Sequence, residues 1–454
     1  MKIKQFWLWL AVLVFLTSIF TVNWQYDRTE FRFLAIVYSL SFIAYLFIIA
    51  NRSRFTFIHF VLLALGAHFV SILYTPYLSD DYFRFLWDGE MTWAGINPYD
   101  FKPNELDSRE FVQSNPYLME VYQGMSSLSK KNYTCYPPIN QAYFILSTAF
   151  SNSITINTII LKLSILVTQI GGAIYLRRIL RILSIDDARM WLLYLNPLWI
   201  IECTGNVHFE GVMLSFLFAA FYFLLKKKEV IGSIFYAIAV HIKLIPLMLL
   251  PFFYRFLGIK KSIVLYALTI LLVIGLGIVP LNSINIVHFK ESLSLYFGVF
   301  EFNSFIVHYC IQFGIAEYGW QIAKTYIQFL SQVTILIVMT LALYGQIPDW
   351  KKLFNRMTLA FFVYLMLSNT VHPWYIIPLF GISLLTNYSF PVIWSFLIFS
   401  TYLFYQYNDG NAIEVRMPIN IEYIAVVAIF VYETLKKKPV VYFLGLDTFM
   451  IKAP

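Results

Sequence analysis

Apolar residues in this chain come in long runs rather than in alternation. Runs of membrane-spanning length lie near 5 to 22, 32 to 50, 57 to 75, 157 to 177, 207 to 225, 262 to 280, 322 to 345 and 420 to 435. Shorter ones lie near 189 to 203, 229 to 242, 244 to 257, 357 to 371, 373 to 387 and 390 to 406. A helix needs about 20 apolar residues to cross a bilayer, and in lipid the backbone must satisfy its own polar groups. The pattern therefore predicts an all-α polytopic integral membrane protein with about 13 or 14 transmembrane helices, organised as a single membrane domain over 1–454. The first run follows Lys2 and Lys4 without a small-residue cleavage pattern, so it reads as a retained signal anchor.

Polar residues between the runs set the expected orientation. Lys and Arg gather in short cytoplasmic loops, and 21 of the 33 basic residues fall into groups assignable to one side. These are Lys2 and Lys4; Arg52 and Arg54; Arg177, Arg178, Arg181 and Arg189; Lys226 to Lys228; Arg255, Lys260 and Lys261; Lys351, Lys352 and Arg356; Lys436 to Lys438; and Lys452. Only 6 of the 25 acids accompany them, which leaves 19 for the outer half. Both termini are then expected in the cytoplasm of a cell whose inner (plasma) membrane holds the protein, and the large loop 76–156 faces outward. Within that loop, 137 to 151 has to stay outside, or the arginines at 177 to 189 would land on the wrong side. It is expected as an interfacial or re-entrant helix started by Pro137 and Pro138.

Composition agrees with the membrane assignment. Hydrophobic residues make up 59% and charged residues 13% of 454, and mean hydropathy is +0.68. The net charge of +8 then reads as a topology signal rather than a nucleic-acid footprint. Cys135, Cys203 and Cys310 all fall on or near the outer half, where a disulfide is chemically open, although an odd count leaves at least one thiol free. No metal-ligand spacing and no nucleotide-phosphate loop is present, so neither metal nor cofactor is expected.

Candidate chemistry concentrates in the outer segments. SDDYFRFLWDGEMTWAGINPYDFKP, 79 to 103, puts the carboxylates Asp80 and Asp81 behind a capping Ser79, with Arg84 and Asp88 at helical spacing and with Trp87 and Trp93 as flat faces for a sugar. Ionisable groups this close to a bilayer are costly unless they serve a function. The turn residues of GINPY, 95 to 99, shape the loop, and 100 to 134 is expected to order over bound substrate. NPLWIIECTGNVHFEG, 196 to 211, brings Glu202, Asn206, His208 and Glu210 to one membrane turn. His241 and Lys243 sit between two short apolar helices, where a lysine can bind phosphate as a point charge. HPWY supplies His372, Trp374 and Tyr375, and Arg416 is the lone basic residue of the loop 407–419.

Taken in order, SDDYFRFLWDG, AGINPY, TCYPPINQ, NPLWIIECTGNVHFEG, HIKLIPLMLLP and HPWY resemble the motifs of bacterial GT-C-fold glycosyltransferases that use polyprenyl-phosphate sugars, in particular the mannosyltransferases akin to glycosyltransferase family 87. The resemblance runs from about residue 60 to 380. It implies a GT-C-like catalytic module over 57–280, preceded by two extra helices in 1–56 and followed by C-terminal helices and outer loops in 281–454. It also implies an essential acid in the first outer loop, a juxtamembrane helix in its proline-rich segment, and a lipid-phosphate sugar donor, most often of mannose.

The expected reaction is inverting transfer of a sugar from polyprenyl phosphate to a hydroxyl on a lipid-linked or cell-envelope glycan. Asp80 or Asp81 would be the base. Lys243, then Arg84, His241, His372 or Arg416, would bind the donor phosphate, while Trp87, Asp88, Trp93, Asn206, His208, Glu210 and Trp374 would line the sugar and acceptor sites. The partners are the donor, the acceptor and membrane lipid, with no nucleic acid. A secondary transporter or flippase, or a membrane acyltransferase or glycan ligase, is the alternative; transporters usually place ionisable groups at the bilayer midplane, whereas these lie in loops and at helix ends.

Overall fold

A computed structural model describes residues 5–24, 28–278, 283–298, 301–319 and 323–441. Helices make up most of these segments, and the only extended pairing among the described residues is an isolated bridge between Phe302 and Thr370. Lys2, Lys4 and Lys452, counted above toward orientation, lie outside the described residues, as do parts of the outer loop 281–321.

Among the described residues, six helices are long and apolar enough to cross a membrane: Gln5–Asn23, Phe31–Ala50, Ile154–Ile182, Ile259–Gly277, Lys324–Leu343 and Ile413–Lys436. The pair Trp199–Gly205 and Glu210–Leu225, bent by 102°, makes a seventh if taken as one broken span, and Phe57–Ile72, Glu229–Ile242 and Pro373–Ser383 are shorter apolar helices. Several of the short runs expected as spans are interrupted instead. The 189–203 run breaks between Met190–Tyr194 and Trp199–Gly205, and 390–406 divides into Phe390–Leu397, Ile398–Tyr402 and Leu403–Tyr407. Pro197 lies in the break of the first run, whereas the second changes helix type without a gap, through a 3-10 stretch at Ile398–Tyr402.

Helix boundaries follow local capping chemistry. The Thr56 hydroxyl accepts from His59 N–H while the His59 ring accepts from Thr56 N–H at 3.1 Å, closing a capping box. Asp349 accepts from Lys352 N–H at 2.7 Å, and Ser153 accepts from Ile156 N–H. Large apolar side chains that stay exposed, such as Ile270, Leu271 and Ile274 on one span and Ile335 and Leu336 on another, mark lipid-facing stripes.

Contacts gather the basic groups at one end of the bundle. The Arg177 guanidinium lies 3.7 Å over the Phe57 ring, Lys261 pairs with Glu229, Arg255 donates to the Leu343 carbonyl and Arg189 to those of Leu384 and Thr386. The acid loop caps the opposite end. There Asp81–Trp93 packs against Pro138–Thr148, whose eleven residues are too short to cross a bilayer. Phe85 stacks on Phe144 at 4.6 Å and 5°, and Gly89 is needed because a Cβ there would stand 2.5 Å from the Phe144 carbonyl oxygen. The 100–134 segment is already folded into short helices, including Pro116–Gly124, rather than a loose loop awaiting substrate.

Candidate active site

The Asp81–Trp93 helix begins at Asp81, with Asp80 just before it, and the Ser79 hydroxyl accepts from Asp81 N–H at 3.3 Å. This short lead-in turns the two carboxylates to different partners. Asp80 Oδ2 accepts from Arg28 at 2.6 Å in a half-exposed ion pair, and the Arg28 guanidinium lies 4.4 Å over the Tyr405 ring. Among the described residues no donor is hydrogen-bonded to the Asp81 carboxylate, and Lys243 is its strongest charged neighbour. Burial pushes the Asp81 carboxyl up to about 6, Lys243 and Arg28 oppose the rise, and Asp80 and Glu210 add to it.

Lys243 ends the Glu229–Ile242 helix in extended backbone and donates to Glu210 Oε1 at 2.5 Å. The second oxygen of Glu210 is buried with no hydrogen-bond partner, and the lysine itself remains about a quarter exposed, facing the aromatic ring of Tyr375 at 5.6 Å. Glu210 reaches this point because the backbone breaks just before it. Seven residues of π-helix, Trp199–Gly205, are followed by Val207 at φ +56°, a left-handed conformation that a β-branched residue adopts only under constraint. The break turns Glu202, Asn206, His208 and Glu210 inward together. Glu202 accepts from the Tyr402 hydroxyl at 2.6 Å and from Asn206 at 3.2 Å, and His208 Nε2 lies 3.5 Å from it.

An aromatic stack closes one wall. The Trp374 ring is 3.4 Å from His208 and 4.5 Å from His372, nearly parallel to both, and His372 in turn stacks on Phe302. The Phe302 bridge to 369–371 fixes that last contact: Phe302 N–H donates to the Asn369 carbonyl and Val371 N–H to that of Phe302. Trp374, expected to line the sugar and acceptor sites, is buried in this stack. Burial, with the Lys243 charge nearby, pushes His372 down to about 3, which disfavours the charged form expected to meet a donor phosphate.

Several other expected site residues lie elsewhere. Arg84 pairs with Asp88 at 2.7 Å and donates to the Ser129 and Asn132 carbonyls, so it fastens the folded loop instead of meeting Asp80, Asp81 or a phosphate. Asp88 is fully buried by that pair and by Gln141. Trp87 is buried against Tyr122, and Trp93, 57% exposed, donates to the Ile145 carbonyl at the far end of its helix. His241 turns to the Val273 carbonyl at 2.9 Å. Arg416 is held by the Gly410 and Ser304 carbonyls and by Glu301, tying the 301–304 segment to the 410–416 segment. Cys135, Cys203 and Cys310 are all free thiols. An open cavity of about 450 Å³ is lined by Thr29, Glu30, Arg32, Phe33 and Gln406, and its lining includes neither Asp81 nor Lys243.

Arg28, Tyr402 and Tyr405 were missed from the sequence. A signal for Arg28 did exist: it is a basic residue between the first two apolar runs, the end of them that carries fewer of the clustered cations.

Fold and site together define an all-helical polytopic membrane protein with an acid and lysine cluster at the end of its bundle opposite the basic loops. Residues 59–258 match the family model described as the N-terminal domain of alpha-(1->6)-mannopyranosyltransferase. The chain is also similar to alpha-(1->6)-mannopyranosyltransferase A of Corynebacterium glutamicum, with 26% identity over 204 residues. That similarity covers 42% of this chain and 39% of the relative, so the chain spans well under half the length of the curated protein it matches. No solved structure matches the chain.

Proposed function

We propose that the protein is a glycosyltransferase that moves a sugar, mannose by analogy with its relatives, from a polyprenyl phosphate to an acceptor hydroxyl on a lipid-linked or cell-envelope glycan, inverting the anomeric centre. The observation that carries the proposal is a half-buried carboxylate, Asp81, that no donor among the described residues claims and whose strongest charged neighbour is Lys243. Both residues lie inside the segment that matches the mannosyltransferase family model.

In the proposed step Asp81 takes the proton of the acceptor hydroxyl as its oxygen bonds to the anomeric carbon. The bond from that carbon to the phosphate oxygen breaks on the opposite face, and its electron pair leaves with the lipid phosphate. Lys243, already fixed by Glu210 and partly exposed, meets the growing negative charge. A carboxyl near 6 suits a base working close to neutral pH, since it is ionised there yet still basic enough to accept a proton.

The test is transfer of label from radiolabelled polyprenyl-phosphate mannose to a cell-envelope extract across a pH series. Asp81 must be ionised to act, so kcat/KM should fall below an inflection near pH 6 and level off above it. A profile flat from pH 5 to 8 would remove Asp81 from the role of base.

The acid loop is proposed to face the outside, because basic loops at the other end of the bundle favour the cytoplasm. A single cysteine at Asn104, which is exposed, should react in intact cells with an impermeant thiol reagent in a background lacking the native cysteines. One at Lys227, also exposed, should not. The opposite labelling would invert the site.

A further inference from the structure

Two adjacent carboxylates rarely share a reaction equally, and here their surroundings differ sharply. We propose that Arg28 is a positioning residue that ties up Asp80 in an ion pair and thereby leaves Asp81 as the member of the acid pair free to serve the acceptor. This inference rests on the reading of Asp81 as the base and adds a residue from outside the 59–258 segment to that site.

Geometry supports it from three sides. The Arg28–Asp80 contact is short, at 2.6 Å, and joins residues from different parts of the chain. Tyr405, from near the C-terminal end, carries the guanidinium on its ring, so Arg28 is held at both ends of its reach. Lys243, by contrast, is held by Glu210 and leaves Asp80 to Arg28. Around Asp81 the charged and titratable neighbours are Asp80 on its own segment, Arg28 after the first helix, Glu210 heading its helix, Lys243 ending another, Tyr405, and the Cys135 thiol.

The consequence is electrostatic. With Arg28 present, the Asp80 charge is compensated at its source. Without it, Asp81 would sit beside an uncompensated carboxylate, which favours its protonated form and should move the pH dependence of transfer upward.

A double-mutant cycle read out as kcat/KM against pH tests this. Arg28→Gln should raise the inflection by on the order of one unit, and Arg28→Lys should restore most of the wild-type position, because the charge survives. Asp80→Asn should lower the inflection while reducing the pH-independent rate far less than Asp81→Asn does. The double variant Asp80→Asn with Arg28→Gln should return the inflection to within a few tenths of wild type, since compensating and compensated charge are removed together. If Arg28→Gln alone does not accumulate, Asp80→Asn carries the test, and an inflection that it fails to lower overturns the inference.

An unmoved inflection in folded Arg28→Gln, or a double variant shifted as far as Arg28→Gln, would overturn the inference and leave the Asp81 base intact. So would an Asp80→Asn variant as inactive as Asp81→Asn. Near wild-type transfer by Asp81→Asn would instead overturn the base itself.

Discussion

Replacing Asp81 with asparagine should lower turnover by about 10² to 10⁴, the usual contribution of a general base, while the protein stays folded and still binds donor. Thermal stability supplies the control. The Asp81 carboxyl stands near 6 in the folded protein, above the value of about 3.9 for an unperturbed aspartate. Its contribution to stability is therefore fully present below about pH 3.9 and is lost as pH rises through about 6. An asparagine never ionises, so Asp81→Asn should have a Tm at pH 7.5 equal to or above that of wild type. Loss of transfer with no loss of stability is what a catalytic carboxylate predicts. A variant that loses both would mark Asp81 as a structural group.

Lys243→Ala should abolish most donor binding, but on its own it is an ambiguous test. Removing the lysine leaves the buried Glu210 carboxylate without its partner, and breaking a fully buried ion pair costs about 3 to 5 kcal/mol. Lys243 is partly exposed, so the penalty here should be smaller. Pairing the change with Glu210→Gln removes the orphaned charge and should recover much of the lost stability. If Lys243 binds the donor phosphate, the double variant will be stable yet still bind polyprenyl-phosphate mannose at least tenfold more weakly, and Lys243→Arg will keep part of the affinity. Wild-type donor affinity in the stabilised double variant would reduce the lysine to a partner for Glu210.

Both experiments concern residues that were visible in the sequence, but their partners were not. Asp80 and Asp81 stand out as acids behind a membrane-length run, and Lys243 as a cation between two short apolar helices. Helical spacing suggested that Arg84 would serve the acid pair. It instead turns to Asp88 one turn along, an equally good partner at i+4, and its remaining donors find the Ser129 and Asn132 carbonyls of the folded loop. The cation that does meet Asp80 comes from 52 positions earlier.

What the sequence by itself determined is local. Apolar runs produced the long helices, Pro138 marked where one helix begins, the capping side chains of Thr56, Ser153 and Asp349 start others from within their own first turns, and clustered basic residues marked one end of the bundle. These features are decided within a turn or two of backbone, by propensity, capping and burial in lipid. Only the tertiary structure decided which charged groups meet. The bend before Glu210, the reach of Tyr402 to Glu202 across 200 positions, and the stacking of His208 and His372 on Trp374 depend on how helices cross and on the cost of leaving a buried polar group unpaired. No spacing along the chain encodes those choices, because several partners satisfy each residue equally well until packing removes all but one.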